Sequence, residues 1–316
     1  MPFRHRLERL EALQSGLRSA KPRPDTVASW FAAGALLASE QDEAALIEAV
    51  RARREEIGDA VGRHTAPSGG LRWVYAAILA AHETSVERFA AMRDVLRDRR
   101  KASETGGLHA GGARAALVLA LSDLSPAEAA QRFFALKAEL NPPWWRRDPS
   151  VTDTFAAAHA VRGDAPASVS QARRRAEEVF KSDSRTRHRR RDGAKFAAIN
   201  EAEPRSVLQR FDRLDALRKS QRTLKHRVDR TILLDWASQG VEAEDLDQIA
   251  QIIDELPRHS GGDGAGLARL AHLTHTGGKG GGAAAAANAL SAVVAAQAAA
   301  AAASAAAVTV AVSAST

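Results

Sequence analysis

The sequence predicts an all-α fold of tandem helical hairpins, each about forty residues long, forming an α-solenoid or an elongated helical bundle with an alanine-rich C-terminal tail. One observation is a recurring phrase, Glu or Gln followed by Arg-Phe, at residues 87–89, 131–133 and 209–211. A second is that apolar segments starting at residues 30, 73, 115, 154, 194 and 231 recur at steps of 37 to 43 residues. The third is composition: Ala, Leu, Arg and Glu dominate, and the residues that favour strands are sparse.

The first 24 residues are predicted to form a capping or docking helix. Leu7, Leu10, Leu13 and Leu17 follow one another at spacings of three, three and four residues, which places them on one helical face. Two prolines within residues 21–24 are expected to end this helix, because the residue before a proline is disfavoured in the α region.

Residues 25–256 are predicted to form one continuous array of six hairpins. Each has an apolar, alanine-rich first helix, a short polar turn and a longer amphipathic second helix. In the third hairpin, Ala129, Phe133, Leu136 and Leu140 are spaced by four, three and four residues and so share one face of the second helix. The alternative is a run of unrelated helical hairpins. Such a run has a similar period, and period alone does not define a family.

Both ends of the chain bear on its location. Residues 257–282 are predicted as a glycine-rich linker and residues 283–316 as an alanine-rich, low-complexity tail. Alanine buries little surface, and the tail lacks the Leu, Ile and Phe that drive insertion, so we favour a tail over a membrane anchor. Residues 1–17 are charged throughout and lack the apolar core of a signal peptide. We therefore expect a cytoplasmic protein.

The positive charge of the chain is regional. The formal net charge is +7, and residues 172–230 have 19 Lys and Arg against 9 Asp and Glu. Such a region suits phosphate binding, but its aromatic residues are few, and Phe196 and Phe211 fall at core positions of the repeat. We favour a solvated basic face, or a partner for the acidic sixth hairpin. The candidate phosphate-contacting residues are Arg173, Arg174, Arg175, Arg187, Arg189, Arg190 and Arg191.

A connector between the third and fourth hairpins has an unusual composition. Trp144 and Trp145, followed by Arg146 and Arg147, stand between prolines. Tryptophan and arginine are enriched in binding hot spots, so these four residues are candidates for partner binding. The alternative, which we favour, is that both rings fill the seam between the two hairpins.

No catalytic, cofactor or metal site is predicted. The chain has no cysteine, which removes disulfides, thiolate nucleophiles and cysteine-bound zinc. The glycine-rich stretch at residues 277–282 lacks the spacing and the Ser or Thr of a phosphate-binding loop. His272 and His275, with His259 and Asp263 nearby, have a spacing that is too common to indicate a metal site.

The whole pattern consists of an apolar Ala/Leu helix, a short polar turn and a helix that contains Arg-Phe and Leu-Lys, as in Arg-Phe-Phe-Ala-Leu-Lys at residues 132–137. This pattern resembles a bacterial family of all-helical proteins known only as a domain of unknown function. The resemblance covers roughly residues 25–256 and implies a fold, not functional residues. In period the array is also similar to HEAT repeats, although the proline, aspartate and basic positions typical of those repeats are not consistently present.

Two functions are compatible with these patterns. The first is a non-catalytic helical-repeat scaffold that binds a protein or peptide, as stacked repeats often do. The alternative is a nucleic-acid-binding repeat protein that uses residues 172–230, resembling HEAT-like glycosylases, which have an aromatic and an acidic residue in a basic groove. One basic face would favour nucleic acid, and a scattered distribution of the arginines would favour the scaffold.

Overall fold

The computed structural model describes residues 3–277 apart from residues 63–64, 102, 104, 106 and 141–148, and for residues 149–151 it describes the backbone alone. The predicted all-α class is confirmed, because every regular element in these residues is helical. The α-helices are α1 (Phe3–Arg18), α2 (Thr26–Leu36), α3 (Glu43–Val61), α4 (Gly70–Ala81), α5 (Val86–Arg100), α6 (Ala113–Ala120), α7 (Pro126–Leu140), α8 (Pro149–Arg162), α9 (Pro166–Ser182), α10 (Arg190–Ile199), α11 (Pro204–Ser220), α12 (Arg222–Lys225), α13 (Arg230–Ser238), α14 (Ala243–Glu255) and α15 (Gly264–Thr276). Short 3₁₀ turns, η1 (His109–Gly112) and η2 (Arg187–Arg189), precede α6 and α10.

Helices lie at all six predicted hairpins, which pair α2 with α3, α4 with α5, α6 with α7, α8 with α9, α10 with α11 and α13 with α14. Most first helices are apolar on nearly every side and are buried; all eight residues of α6 are buried, whereas α10 begins with charged residues and buries only part of its surface. The second helices bury a single stripe. Phe89, Phe133 and Phe211 of the recurring phrase are each 0% exposed in α5, α7 and α11. The phrase therefore marks packing positions.

Four of the hairpin turns have the same backbone conformation. Glu83, Gly163, Glu201 and Gly240 adopt positive φ angles of 53°, 81°, 50° and 87° directly after the first helix. In each turn the N–H of the next residue donates to the carbonyl five residues before it. This is a Schellman ending, which satisfies carbonyls that the end of a helix leaves without partners.

The structure has a helix where the sequence predicted a linker. Within residues 257–282, helix α15 begins after the capping residue Asp263 and ends at Gly277, and Leu267 and Leu270 are buried in it. The linker prediction was wrong here because glycine was taken as a sign of flexibility. A Cβ on Gly266 would lie 2.0 Å from a backbone oxygen, so this glycine allows close packing instead. The predicted tail, residues 283–316, lies outside the described residues.

Helix α15 returns the array to its beginning, because it packs against α1 and α2. Gly34 of α2 makes room for it: a Cβ at this position would lie 2.7 Å from Cδ2 of Leu273. On its other flank His272 stacks on Trp236 of α13, with ring centroids 5.1 Å apart. No described helix combines the length and apolarity needed to cross a bilayer.

The alternation of short and long connections gives the array two sides. The turn side consists of the hairpin turns, residues 37–42, 82–85, 121–125, 163–165, 200–203 and 239–242. The connector side consists of the described parts of the longer links between hairpins, residues 19–25, 62, 65–69, 101, 103, 105, 107–112, 183–189, 221–229 and 256–263. Hydrogen bonds from each side reach the next hairpin: Asn200 of the turn side donates to Ser238 at the end of α13, and Arg189 of the connector side donates to Thr231 near its start.

Candidate interaction surface

The turn side is acidic, and most of its acids are used within the fold. The six turns contain eight Asp and Glu and no Lys or Arg. Asp42, Glu203 and Glu242 accept hydrogen bonds from the free N–H groups at the starts of second helices. Asp164 binds an arginine, and Glu83 accepts from a glutamine of the neighbouring turn. Acids at helix N-termini are favourable for both capping and the helix dipole, so this charge has a structural explanation.

Two of the three arginines of the recurring phrase, Arg88 and Arg210, fasten one hairpin to the next, whereas Arg132 binds Glu128 of its own helix at 2.6 Å. Arg88 donates from Nε to the carbonyl of Ala120, at 3.0 Å, and from Nη2 to that of Leu124, at 2.6 Å. Arg210 donates from Nη1 to the carbonyl of Ala237, at 2.7 Å. These carbonyls belong to the end of the following first helix or to its turn, where the helix leaves acceptors free. The arginine is thus a capping residue supplied by the preceding hairpin.

A buried histidine forms part of the fourth turn. Nδ1 of His159 lies 2.6 Å from Oδ2 of Asp164, and Arg162 binds the same carboxylate and donates to the carbonyl of Ile199, at 2.6 Å. Burial lowers the pKa of His159, although Asp164 opposes the change. Burial alone would raise the pKa of Asp164, but hydrogen bonds from Arg162 and His159 hold it below its usual value. The group links two hairpins and needs no ligand to satisfy it.

Lys137 and Asp153 form a buried ion pair at the opposite ends of the connector 141–148. Their side chains are 3% and 1% exposed. Nζ of Lys137 also donates to the carbonyl of Gly107, at 2.9 Å, and Oδ2 of Asp153 accepts from the N–H of His109, at 2.7 Å. The pair therefore joins α7, α8 and the link before α6. This ion pair was not predicted from the sequence, although Lys137 follows Phe133 by four residues and so occupies a core position.

Four of the seven candidate arginines have partners in the described part of the chain or are partly buried. Arg190 and Arg191 lie 3.0 and 3.7 Å from Oε1 of Glu177. Arg173 lies partly buried beside the same carboxylate, and burial lowers its pKa. Arg189 donates to Thr231, at 3.1 Å.

The other three candidate arginines are exposed and are distributed over different surfaces. Arg174 and Arg175 are consecutive in α9, so their side chains leave the helix about 100° apart. Arg175 lines a cavity of about 630 Å³ together with Glu201 and Glu203 of the turn side. Arg187 belongs to a connector. The seven arginines do not form one basic groove.

The connector side has the opposite charge from the turn side. Its described residues include ten Lys and Arg and four Asp and Glu. Each of the four acids, Asp25, Asp183, Asp229 and Asp263, accepts a hydrogen bond from a backbone N–H of the segment that follows it. The carboxylates are thus occupied, and an excess of cations faces solvent.

Part of the basic region binds an acidic residue of the sixth hairpin, as one of the sequence interpretations proposed. Arg210 and Arg213 bind the two oxygens of Glu242, at 2.7 and 2.8 Å. Of the 19 Lys and Arg in residues 172–230, ten lie within 4.0 Å of a carboxylate. The other nine Lys and Arg include cations of the two connectors in this region, residues 183–189 and 221–229.

One cleft lies between the first two hairpins. It encloses about 850 Å³, and Arg54 places its guanidinium 5.0 Å from the ring centre of Trp73 in its wall. Its other charged lining residues are of both signs, with Arg23 beside Asp25 and Asp59. The lining thus favours no single ligand charge.

The predicted partner-binding residues Trp144, Trp145, Arg146 and Arg147 lie outside the described residues. Three other tryptophans, Trp30, Trp73 and Trp236, lie in first helices and are 5%, 3% and 1% exposed.

Comparisons with protein-family profiles, with curated proteins and with solved structures found no match. The resemblance to the bacterial all-helical family therefore stays a prediction.

Proposed function

We propose that the protein is a non-catalytic helical scaffold that binds another protein or a peptide through its connector side. The observation that supports this most directly is the unequal use of charge on the two sides. Six of the eight acids of the turn side cap helices or bind other side chains of the fold, whereas the connector side has cations beyond what its carboxylates neutralise. Charge that the fold does not use is available to a partner.

The buried ionisable groups support a structural rather than a catalytic role. Lys137 binds Asp153, and His159 binds Asp164, each across a junction between hairpins. In the part of the chain that the structure describes, no three His, Asp or Glu side chains gather in a way that could hold a metal ion. The cytoplasmic location expected from the sequence is part of the same proposal.

Trp144, Trp145, Arg146 and Arg147 remain predicted partner contacts. The helices on either side of them in the sequence, α7 and α8, are joined by the buried ion pair described above. Trp144→Ala and Trp145→Ala separate this role from the packing favoured above: weaker partner binding at an unchanged thermal unfolding temperature would identify partner contacts. A lowered unfolding temperature would assign the rings to the seam instead.

Nucleic-acid binding is the second candidate. The dispersal of Arg174, Arg175 and Arg187 weighs against it, as does the burial of Phe180 and Phe211, which removes stacking platforms. The basic connectors favour it, because phosphate contacts need charge more than aromatic rings. Retention on immobilised duplex DNA at low salt tests this candidate.

Capture of a partner by charge variants tests the proposed function. The full chain is compared with a connector-side variant, Arg187→Glu, Arg222→Glu and Lys225→Glu, in a nuclease-treated extract. A matched control, Arg174→Glu, Arg175→Glu and Arg205→Glu, makes the same change in net charge away from the connectors. We expect one protein to be retained by the wild type and the control, but not by the connector-side variant. Equal retention by all three would contradict the proposal.

A further inference from the structure

We propose that two neighbouring connectors form a docking surface for a short acidic peptide segment of the partner. The basic patch consists of residues 183–189 and 215–230. This inference rests on the proposed function and names the chemistry of the partner.

The carboxylates of the basic patch are already bonded. The patch has nine Lys and Arg and three aspartates. Asp183 binds Arg185, and Asp229 caps α13. Asp215, which is 3% exposed, is surrounded by three cations, Arg218, Lys219 and Arg230, at 2.9, 2.8 and 3.9 Å.

Five cations of the patch have no carboxylate within ion-pair distance among the described residues. They are Arg187, Arg189, Arg222, Lys225 and Arg227. The first connector contacts the start of α13, two residues after the second connector ends, where Nε of Arg189 donates to Oγ1 of Thr231, at 3.1 Å. The five cations therefore belong to one side of two adjacent hairpins, and their charge adds.

The ordinary preference for cations at helix C-termini explains only part of this patch. Arg218 and Lys219 lie in the last turn of α11, where they complement the helix dipole. Arg187, Arg189 and Arg227 lie in connectors, outside the last turns of α9 and α11. Capping does not require charge at these positions.

The surroundings of the patch favour a short acidic segment over a long polyanion. On the flank formed by α14, Asp247 accepts from Gln221, and Asp254 accepts from Thr223 at 2.9 Å. These carboxylates lie beside the cations of the second connector and would repel an anion that continued across the array. A nucleic-acid duplex has one charge per 1.7 Å or so and would extend beyond the patch, whereas a peptide segment can end within it.

A titration with defined anions tests the inference. A fluorescein-labelled decaglutamate peptide is titrated with the full chain, and its anisotropy is followed at low and at physiological salt. The patch variant is Arg187→Glu, Arg222→Glu and Lys225→Glu. The control variant is Arg174→Glu, Arg175→Glu and Arg205→Glu, which has the same net charge. A DNA duplex of matching length is titrated in parallel.

We expect the wild type and the control to bind the peptide with similar affinity. The patch variant should bind it at least about tenfold more weakly. Higher salt should weaken binding by the wild type. If the patch variant fails to fold by circular dichroism, Gln replaces Glu at the same positions. Equal binding by the two variants, no binding of the peptide, or tighter patch-dependent binding of the duplex would overturn the inference. Capture of a protein that depends on the connector side, with no peptide binding, would overturn this inference and leave the proposed function standing.

Discussion

At the scale of single residues, buried polar side chains join neighbouring hairpins. Lys137, Asp153 and His159, each taken as a whole residue, are at most 2% exposed. A charge removed from water is costly unless it is paired, so each of these groups constrains how two hairpins meet. These residues were not identified from the sequence. Isolated charges among apolar residues are common on exposed faces, and the pairing partner lies on another helix.

Removal of one partner of the buried pair should be strongly destabilising. Lys137→Met leaves Asp153 buried without its cation, and we expect the free energy of unfolding to fall by about 3–5 kcal/mol. The double variant Lys137→Met with Asp153→Asn should recover part of this, because asparagine still accepts from the N–H of His109 without a charge. Urea denaturation measures both. A loss no larger than that of the exposed control Lys101→Met would contradict this role.

Protonation of a buried histidine should weaken the fold in acid. Burial lowers the pKa of His272 from about 6.5 to about 3. The unfolded chain therefore binds a proton below pH 6.5 that the folded chain does not, so stability is complete above that pH and falls as the pH decreases toward 3. The contribution of His272 is up to about 1.4 kcal/mol per pH unit.

Replacement of His272 by Phe keeps a ring against Trp236 and removes the titration. We expect the free energy of unfolding of this variant to fall less between pH 6.5 and pH 5 than that of the wild type. The exposed His188→Phe serves as the control and should leave the slope unchanged. An unchanged slope in the His272 variant would show that the residue does not titrate as its burial requires.

At the scale of elements, the hairpin was the unit that the sequence predicted well. Apolar first helices and striped second helices produce a pattern with the period of a helix, and Pro126, Pro166 and Pro204 mark where second helices begin. Helix α15 was missed because Gly264 and Gly266 resemble a linker. The same residue type terminates helices at Gly163, and sequence alone does not separate these uses of glycine.

The shared turn conformation predicts opposite effects of glycine at two equivalent positions. Glu201 has a φ of 50°, which disfavours a side chain, and Gly240 has a φ of 87° with open space around its Cα. Glu201→Gly should raise the free energy of unfolding by up to about 1 kcal/mol, and Gly240→Ala should lower it by about 1 kcal/mol. Thermal unfolding measures both changes. Oε1 of Glu201 lies 3.7 Å from Nε of Arg162, and a loss of stability on Glu201→Gly would indicate that this ion pair outweighs the strain.

At the scale of the whole molecule, the array has an acidic turn side and a basic connector side. Charge counts from the sequence located the basic region at residues 172–230. They did not show which of its cations form ion pairs within the fold and which remain unpaired on the connectors. Arg210 and Arg213 bind the sixth hairpin, Arg190 and Arg191 bind α9, and the excess charge remains on the connectors. Which cation meets which carboxylate depends on the stacking of hairpins some thirty residues apart.

The central claim is that a partner binds the connector side. Amide hydrogen exchange of the full chain, measured with and without the captured partner, tests it most directly, because exchange reports protection at individual segments. We predict added protection in residues 183–189 and 221–229, with unchanged exchange in the turns at residues 82–85 and 163–165. Protection concentrated in those turns, or spread evenly over both sides, would contradict the claim.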